Sequence, residues 1–491
     1  MSARPGSARV RRAAACAAAA LLGGCQYLSV GPVYHRPAVE VPDAYKEAKD
    51  WKPAQPSDAK PRGSWWELYQ DADLDELMPQ VQVSNQNVQL ALAQYEQAVA
   101  LLGNARSGFF PTISADASAT RTQNAFTLGA GGAGSTSATT TALGATTNRF
   151  QASASVSWEL DVWGRIRRTV EANRESAQAG AADLASMLLS QQALLAQTYL
   201  QLRTTDLELG LLEHSMDAYQ KALEVTRNRY EAGVAQRSDV TQAQTQLENA
   251  RALWLDLGIS RATLEHAIAV LIGKPPASLS IARKDTTPVL PPIPLELPSQ
   301  LLERRPDIAA AERRTAAANA QIGVARAAWF PSLSLGGTEG YESSRIAHLF
   351  ELPNRFWSLG PDLAMTLIDF GARHYQVRAA IATYDQNVAN YRQTVLAAFQ
   401  SVEDNVATLR ILAQESLAER AAADAAAETL TIAQNQYKAG TVDYLNVVAA
   451  QNASLNAEKG YLDIASRALS ASVALLKDLG GGWHEEELPY R

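Results

Sequence analysis

The chain has 491 residues, of which 47% are hydrophobic and 19% are charged, so a large core can form and general disorder is excluded. The net charge is −7. Without residues 1–24, 40 of the 44 basic residues remain against 51 acidic ones, a net charge of −11 that argues against a nucleic-acid partner.

Residues 1–24 have the features of a signal peptide. Four arginines precede an apolar stretch at 13–22, and its ten residues fall short of the about 20 that a membrane-spanning helix needs. The following Leu-Gly-Gly-Cys run resembles the lipobox of bacterial lipoproteins, in which the cysteine is diacylated. We therefore predict Cys25 as the site of lipid attachment, and Gln26 after it implies sorting to the outer membrane. The alternative is a plain signal peptide in which Cys25 is incidental.

The rest of the chain is an internal duplication. An Ala-Arg pair followed by an aromatic-Phe-Pro run occurs at 105–111 and again at 325–331, and a Tyr-x-Ala-Gly run ends at Gly233 and again at Gly440. The predicted organisation is a signal peptide at 1–24, an N-terminal extended segment at 25–76, a first helix–strand-pair–helix repeat at 77–275, a Pro-rich linker at 276–298, a second repeat at 299–480 and a C-terminal tail at 481–491.

Each repeat has a strand pair. Residues 150–160 alternate strictly between apolar even positions and polar odd positions, which is typical of a strand with one apolar face. The partner strand begins near Ile113, and the second repeat has an equivalent pair near Leu333 and at 357–367. Four strands cannot close a membrane barrel, since eight is the practical minimum, so strands in a membrane would have to be shared between chains. The soluble alternative is a β-hairpin cap on a coiled-coil rod.

Two long helices are predicted at 164–232 and 371–439. Both segments lack proline. Apolar residues recur at every seventh position from Leu188 to Tyr230 and, with Ser416 as the exception, from Ile381 to Tyr437, which implies left-handed supercoiling of helices about 100 Å long. The first ends at Gly233 and the second at Gly440, since a glycine commonly ends a helix. A returning helix of about half the length follows each of them, at 238–272 and at 443–479. Shorter helices at 77–106 and 299–328 would stack end to end with the returning helices to match the long ones.

The sequence resembles the outer-membrane factors of bacterial tripartite efflux pumps, the TolC-like proteins, especially the lipoprotein branch that contains OprM and NodT. The matching runs lie at 30–37, 65–69, 304–307 and 318–333. The resemblance implies a mainly α fold with a membrane β-barrel portion: a homotrimer with a 12-stranded barrel, four strands per chain, and an α-helical tunnel extending into the periplasm. It also implies lipid contact in the outer membrane. The helix-turn tips at Gly233 and Gly440 would dock a periplasmic adaptor of an inner-membrane pump, commonly of the RND class.

The same resemblance places the periplasmic aperture just after Gly440. It makes Leu445 an apolar ring, with Asn446 and Asp443 beside it. The ring aspartate of OprM-like members is replaced by Ala449, and their arginine by Asn452, so we expect a constriction lined by apolar and amide groups rather than a charged lock. The alternative is that Leu445 is ordinary helix packing.

Two further positions have alternative interpretations. Asp239 is either a carboxylate at a helix N-terminus or part of the aperture. The Arg-Arg-Pro-Asp run at 304–307 is either a salt-bridged joint or a helix start with Pro306 in the first turn, and we favour the helix start.

The sequence favours a passive exit duct for small-molecule efflux. The alternatives are a duct for type I protein secretion and a non-conducting coiled-coil lipoprotein that tethers envelope layers. No enzyme, cofactor or metal is expected, because the sequence shows no constellation of nucleophile and base and its six histidines are scattered.

Overall fold

The computed structural model describes residues 29–42, 44–47, 64–123, 146–293, 304–483 and 488–489. The predicted signal peptide and Cys25 lie outside these residues. The chain divides into two compact units. The first takes in the described parts of 1–35, 99–175 and 315–386, and the second those of 36–98, 176–314 and 387–491.

The first unit contains one antiparallel sheet of four strands, in the order β1 (Thr112–Gln123), β2 (Thr146–Leu160), β3 (Ser332–Ser343) and β4 (Arg355–Ala364). Val156 pairs with Ile113 on one side and with Gly337 on the other, so the even positions of β2 share a face with the odd positions of the other strands. The predicted strand pairs are thus confirmed, and β1 and β4 form the two edges of the sheet.

The predicted extension of the last strand to residue 367 is wrong. The final pair in the ladder joins Ser332 to Ala364. Pro331 precedes Ser332 and has no N–H to donate, so the ladder has no further donor on that side.

The predicted long and returning helices are confirmed to within about two residues. The first repeat contains α1 (Ala72–Ser84), α2 (Gln86–Ser107), α3 (Arg165–Glu231) and α4 (Arg237–Leu271). The second contains α5 (Pro306–Ala327), α6 (Ala372–Ala439) and α7 (Tyr444–Asp478). The seven-step positions form the core of the second unit; Leu195, Leu202, Val395 and Val402 are all fully buried.

The single helix expected at 77–106 is two helices, α1 and α2, because Asn85 interrupts it. Asn85 has an extended backbone, and its side-chain oxygen accepts the N–H groups of Asn87 and Val88 at 2.9 and 3.2 Å, which caps α2. Its side-chain nitrogen donates to the carbonyl of Leu271, the last residue of α4, at 2.7 Å. One side chain therefore joins the end of α4 to the start of α2, and this confirms the end-to-end stacking.

Arg305 forms the same joint in the second repeat, 220 residues later. It donates to the carbonyl of Asp478, the last residue of α7, at 3.1 Å, and pairs with Asp307 in the first turn of α5 at 2.7 Å. Pro306 begins α5, as favoured. The other interpretation, a salt-bridged joint, is also correct, because the ion pair of Arg305 with Asp307 lies at this helix start.

Glycines after α4 and α7 let the stacked helices approach. Gly273 and Gly480 have φ of 70° and 90°. A Cβ there would lie 2.2 Å from the carbonyl oxygen of Ser84 and 2.1 Å from that of Arg304. No other residue fits without displacing backbone.

Candidate channel aperture and membrane-facing sheet

The two helix turns of the second unit have the same backbone geometry. Gly233 and Gly440 adopt φ of 74° and 77°. In each turn the residue after the glycine donates to a carbonyl five residues earlier: Val234 to Arg229 at 2.9 Å, and Thr441 to Gln436 at 3.0 Å. This is the Schellman arrangement that ends a helix, and both glycines are exposed.

Arg229, near the end of α3, links the two turns. Its Nη1 donates to the carbonyls of Tyr437 and Lys438 at 2.9 and 3.0 Å, and its guanidinium lies 4.8 Å from the centre of the Tyr437 ring. Tyr437 in turn packs edge-to-face on Tyr444 at 5.2 Å. The last carbonyls of α6 are thus satisfied by a cation from α3, which is favourable at a helix C-terminus.

The first turn of α7 separates buried from exposed side chains. Tyr444 and Val447 are buried in a small cluster with Leu223, whereas 62% of Leu445 is exposed. Asn446 and Ala449 are exposed as well. Packing within one chain therefore does not account for Leu445.

The other polar positions near this turn differ in their contacts. Asp443 is the N-cap of α7 and makes no side-chain cap hydrogen bond. Asn452 accepts a hydrogen bond from Gln246 at 2.7 Å, so it bridges α7 and α4. Asp239 lies in the first turn of α4, where a carboxylate is favourable. Burial raises the pKa of Tyr444 to about 12, so this hydroxyl stays neutral at physiological pH.

The sheet has one apolar and one polar face. The apolar face holds the even positions of β2 together with Ile113, Leu335 and Leu359 and their same-face neighbours. The charged residues on the polar face of the described strands are four acids and one arginine, a net charge of −3: Asp116, Arg149, Glu159, Glu342 and Asp362.

Aromatic side chains lie at both ends of the strands, as is typical of membrane strands. At the end nearer α3 and α5, Trp163 stacks on Phe330 at 4.7 Å, and Trp158 donates to the carbonyl of Phe109 at 3.0 Å. At the other end, Tyr341 packs on Phe350 at 5.5 Å. Sequence reasoning missed these two belts, because each is assembled from separate segments.

None of the helices in the described part of the chain combines the length and the hydropathy needed to cross a bilayer. Within the same residues, no group of three His, Cys, Asp or Glu side chains is placed to hold a metal ion.

A duplicated chain with a small two-faced sheet and paired long helices has the architecture of the TolC-like channel proteins. The outer membrane efflux protein family model matches residues 77–274 and 297–481, and the chain belongs to this family. It is 31% identical to the toluene efflux pump outer membrane protein TtgF of Pseudomonas putida, over 94% of this chain and 95% of that protein.

Two further channels give the same result. Identity to the outer membrane protein OprJ of Pseudomonas aeruginosa is 30%, over 94% of both chains. The solved structure of the outer-membrane channel OprN superimposes with a TM-score of 0.83 at 28% identity, over 92% of this chain and 99% of that one. The protein is therefore an outer-membrane exit duct of a tripartite efflux system, and the predicted fold, function and location in the outer membrane are confirmed.

Proposed function

We propose that three copies of the chain close a shared 12-stranded barrel and a helical tunnel, through which small molecules pass without any catalytic step. The single observation that carries this proposal is the four-stranded sheet. It has two open edges, β1 and β4, and an apolar face on which Trp357, Leu359 and Leu363 are about 70% exposed. An exposed apolar edge strand is an aggregation hazard unless another strand covers it, and β1 of a second copy supplies one.

Cys25 is proposed as the lipid anchor. Ser29 follows it by four positions, a span of at most about 14 Å. Ser29 lies against Gly164, where β2 gives way to α3, and Val30 donates to the carbonyl of Trp163 at 3.1 Å. This attachment point supports the proposal, because a membrane strand must end near the lipid headgroups at that level.

The aperture is proposed at Leu445, with Asn446 and Asp443 beside it. Three exposed copies of Leu445 around a threefold axis would exclude hydrated ions by apolar crowding. Ala449 and Asn452 supply no charge to a lock, and Asn452 is already bonded to Gln246 within the chain.

The two turn tips at Gly233 and Gly440 are proposed to dock a periplasmic adaptor, which connects the duct to an inner-membrane pump of the RND class. Their shared backbone geometry and their exposure support a repeated docking unit. Relatives are named for the efflux of toluene or antibiotics or for pyoverdine export, so the exported compound differs among them. We infer that the pump and the adaptor, rather than this duct, select the cargo.

Single-channel recording in planar bilayers tests the proposal, with native mass spectrometry of the same preparation. We expect a trimer that conducts. A trimer that inserts into the bilayer and never conducts, even after Leu445→Ser, would contradict the duct, and a monomer would contradict the shared barrel.

A further inference from the structure

The apolar face of the sheet is charged only in its outer half, the half remote from Leu160 and Leu333. Among its described positions, the charged residues are Arg121, Glu339 and Arg355. Two arginines and one glutamate give this face a net charge of +1, whereas the polar face has a net charge of −3. The two faces therefore attract ions of opposite sign.

Arg355 and Glu339 form an ion pair on the apolar face. The Nε of Arg355 donates to Oε1 of Glu339 at 2.8 Å, and Nη2 contacts the same oxygen. Arg355 lies opposite Tyr341 in the ladder, and Glu339 lies opposite Trp357. Each side chain of the ion pair is about half exposed.

This pair lies where a membrane boundary would fall on the proposed barrel. A charged side chain on the lipid face of a membrane strand costs much at midplane and little at the interface. Tyr341 and Phe350 form an aromatic contact at the same level, and aromatic rings collect where the hydrocarbon meets the headgroups. From Leu333 to Tyr341 the strand covers about 26 Å at 3.3 Å per residue, or about 20 Å of membrane at a 40° tilt.

We propose that Arg355, together with Tyr341, binds the phosphate of an anionic lipid in the outer leaflet. This inference rests on the proposed barrel, which directs the apolar face toward lipid. Guanidinium presents five donors in a planar fork that matches phosphate, and the contacts to Glu339 use only Nε and Nη2. Nη1 remains to donate to a phosphate oxygen, and the net positive charge of the face favours an anion.

The chain contains its own control. Arg149 and Glu342 form a second ion pair, at 2.6 Å, on the polar face of the same sheet. Its composition and exposure resemble those of the Arg355–Glu339 pair, but it faces the opposite side. A lipid bound to the apolar face must depend on Arg355 and not on Arg149.

Native mass spectrometry of the full-length trimer in detergent tests the site, with phosphatidylglycerol, phosphatidylcholine or inorganic phosphate added. We expect phosphatidylglycerol to be retained over phosphatidylcholine. Arg355→Gln should weaken this retention about five-fold, as loss of one cation near a membrane surface does. Arg355→Lys should keep part of it, and Arg149→Gln should leave it unchanged. Glu339→Gln should strengthen it, because the guanidinium loses its competing carboxylate.

Retention that Arg355→Gln leaves unchanged, or that Arg149→Gln reduces equally, would overturn the site. So would binding of inorganic phosphate without any preference for phosphatidylglycerol. The same mass spectrum also shows how many copies of the chain the complex contains. A monomer would overturn the barrel and the lipid site with it, whereas a trimer without lipid preference would overturn the lipid site alone.

Discussion

The joint at Arg305 makes a quantitative prediction about what holds the second repeat together. We consider Arg305→Met, which keeps most of the volume and removes the charge. The guanidinium is largely buried and contacts both the carbonyl and the carboxylate of Asp478, while pairing with both oxygens of Asp307. The substitution leaves the buried carboxylate of Asp478 with Asn405, whose Nδ2 donates to it at 2.9 Å, and with the half-exposed Lys477, whose Nζ lies 3.9 Å away.

Removing one partner of a buried ion pair costs about 3–5 kcal/mol, because the remaining charge is uncompensated. Since Asn405 still donates to Asp478, we expect the low end of this range. Arg467→Met is the matched control, because Arg467 is half exposed and its pair with Glu415, at 3.5 Å, should contribute about 0–1 kcal/mol. Asn85→Ala removes the neutral joint of the first repeat and should cost about 1–2 kcal/mol.

The loss of stability in the Arg305→Met variant should depend on pH. Burial raises the pKa of the Asp478 carboxyl and Arg305 opposes that rise, so the Arg305→Met variant should have a still higher pKa there. A raised carboxyl pKa means that stability is full below the unfolded value of 3.8 and is lost as pH rises through the folded value. The variant should therefore lose more stability at pH 8 than at pH 5, whereas Asn85→Ala should lose the same at both.

Denaturant unfolding in detergent, followed by the helical circular dichroism signal, measures these free energies at both pH values. Equal losses for Arg305→Met and Arg467→Met would refute the argument. So would a loss for Arg305→Met that is the same at pH 5 and pH 8.

Three further substitutions, two of them with a matched control, test the aperture, membrane-strand and lipid-anchor proposals. Leu445→Ser should raise single-channel conductance with little change in trimer melting, whereas the buried Val447→Ser should lower melting by the cost of a core truncation; the reverse pattern would remove Leu445 from the aperture. Val156→Arg should cost about 2–4 kcal/mol and reduce insertion into outer-membrane vesicles, while Ser155→Arg on the other face should be tolerated; equal damage would show that the faces are misassigned. Cys25→Ser should abolish labelling by a palmitate analogue, and persistent labelling of that variant would rule out Cys25.

The sequence was sufficient for the elements whose signals are local. A seven-residue apolar period within 69 residues that lack proline defines a long helix wherever it packs, and α3 and α6 follow it closely. Strict alternation defined the faces of β2 in the same way. The glycines at 233 and 440 marked the helix ends, because a left-handed residue is needed there.

The features that escaped prediction depend on partners far along the chain. Asn85 resembles an ordinary helical residue until its side chain meets Leu271, and Arg229 has no visible role until α6 ends beside it, 208 residues later. The same holds for Arg203, whose buried guanidinium donates to Asp73 in the first turn of α1 and to the carbonyl of Ala282 in the linker after α4. The aperture role of Leu445 stays a prediction, because it depends on neighbouring copies of the chain.

The two repeats share backbone geometry, but their side chains at equivalent points differ. The joint is a neutral Asn85 in the first repeat and a charged Arg305 in the second. At the turns, Arg229 of the first repeat reaches across to cap α6, whereas its counterpart is Gln436, whose backbone carbonyl accepts the N–H and the hydroxyl of Thr441. Backbone hydrogen bonds and glycines can keep the duplicated frame, because they do not depend on the identity of other side chains. The joints and turns have therefore kept one backbone frame while their side chains diverged.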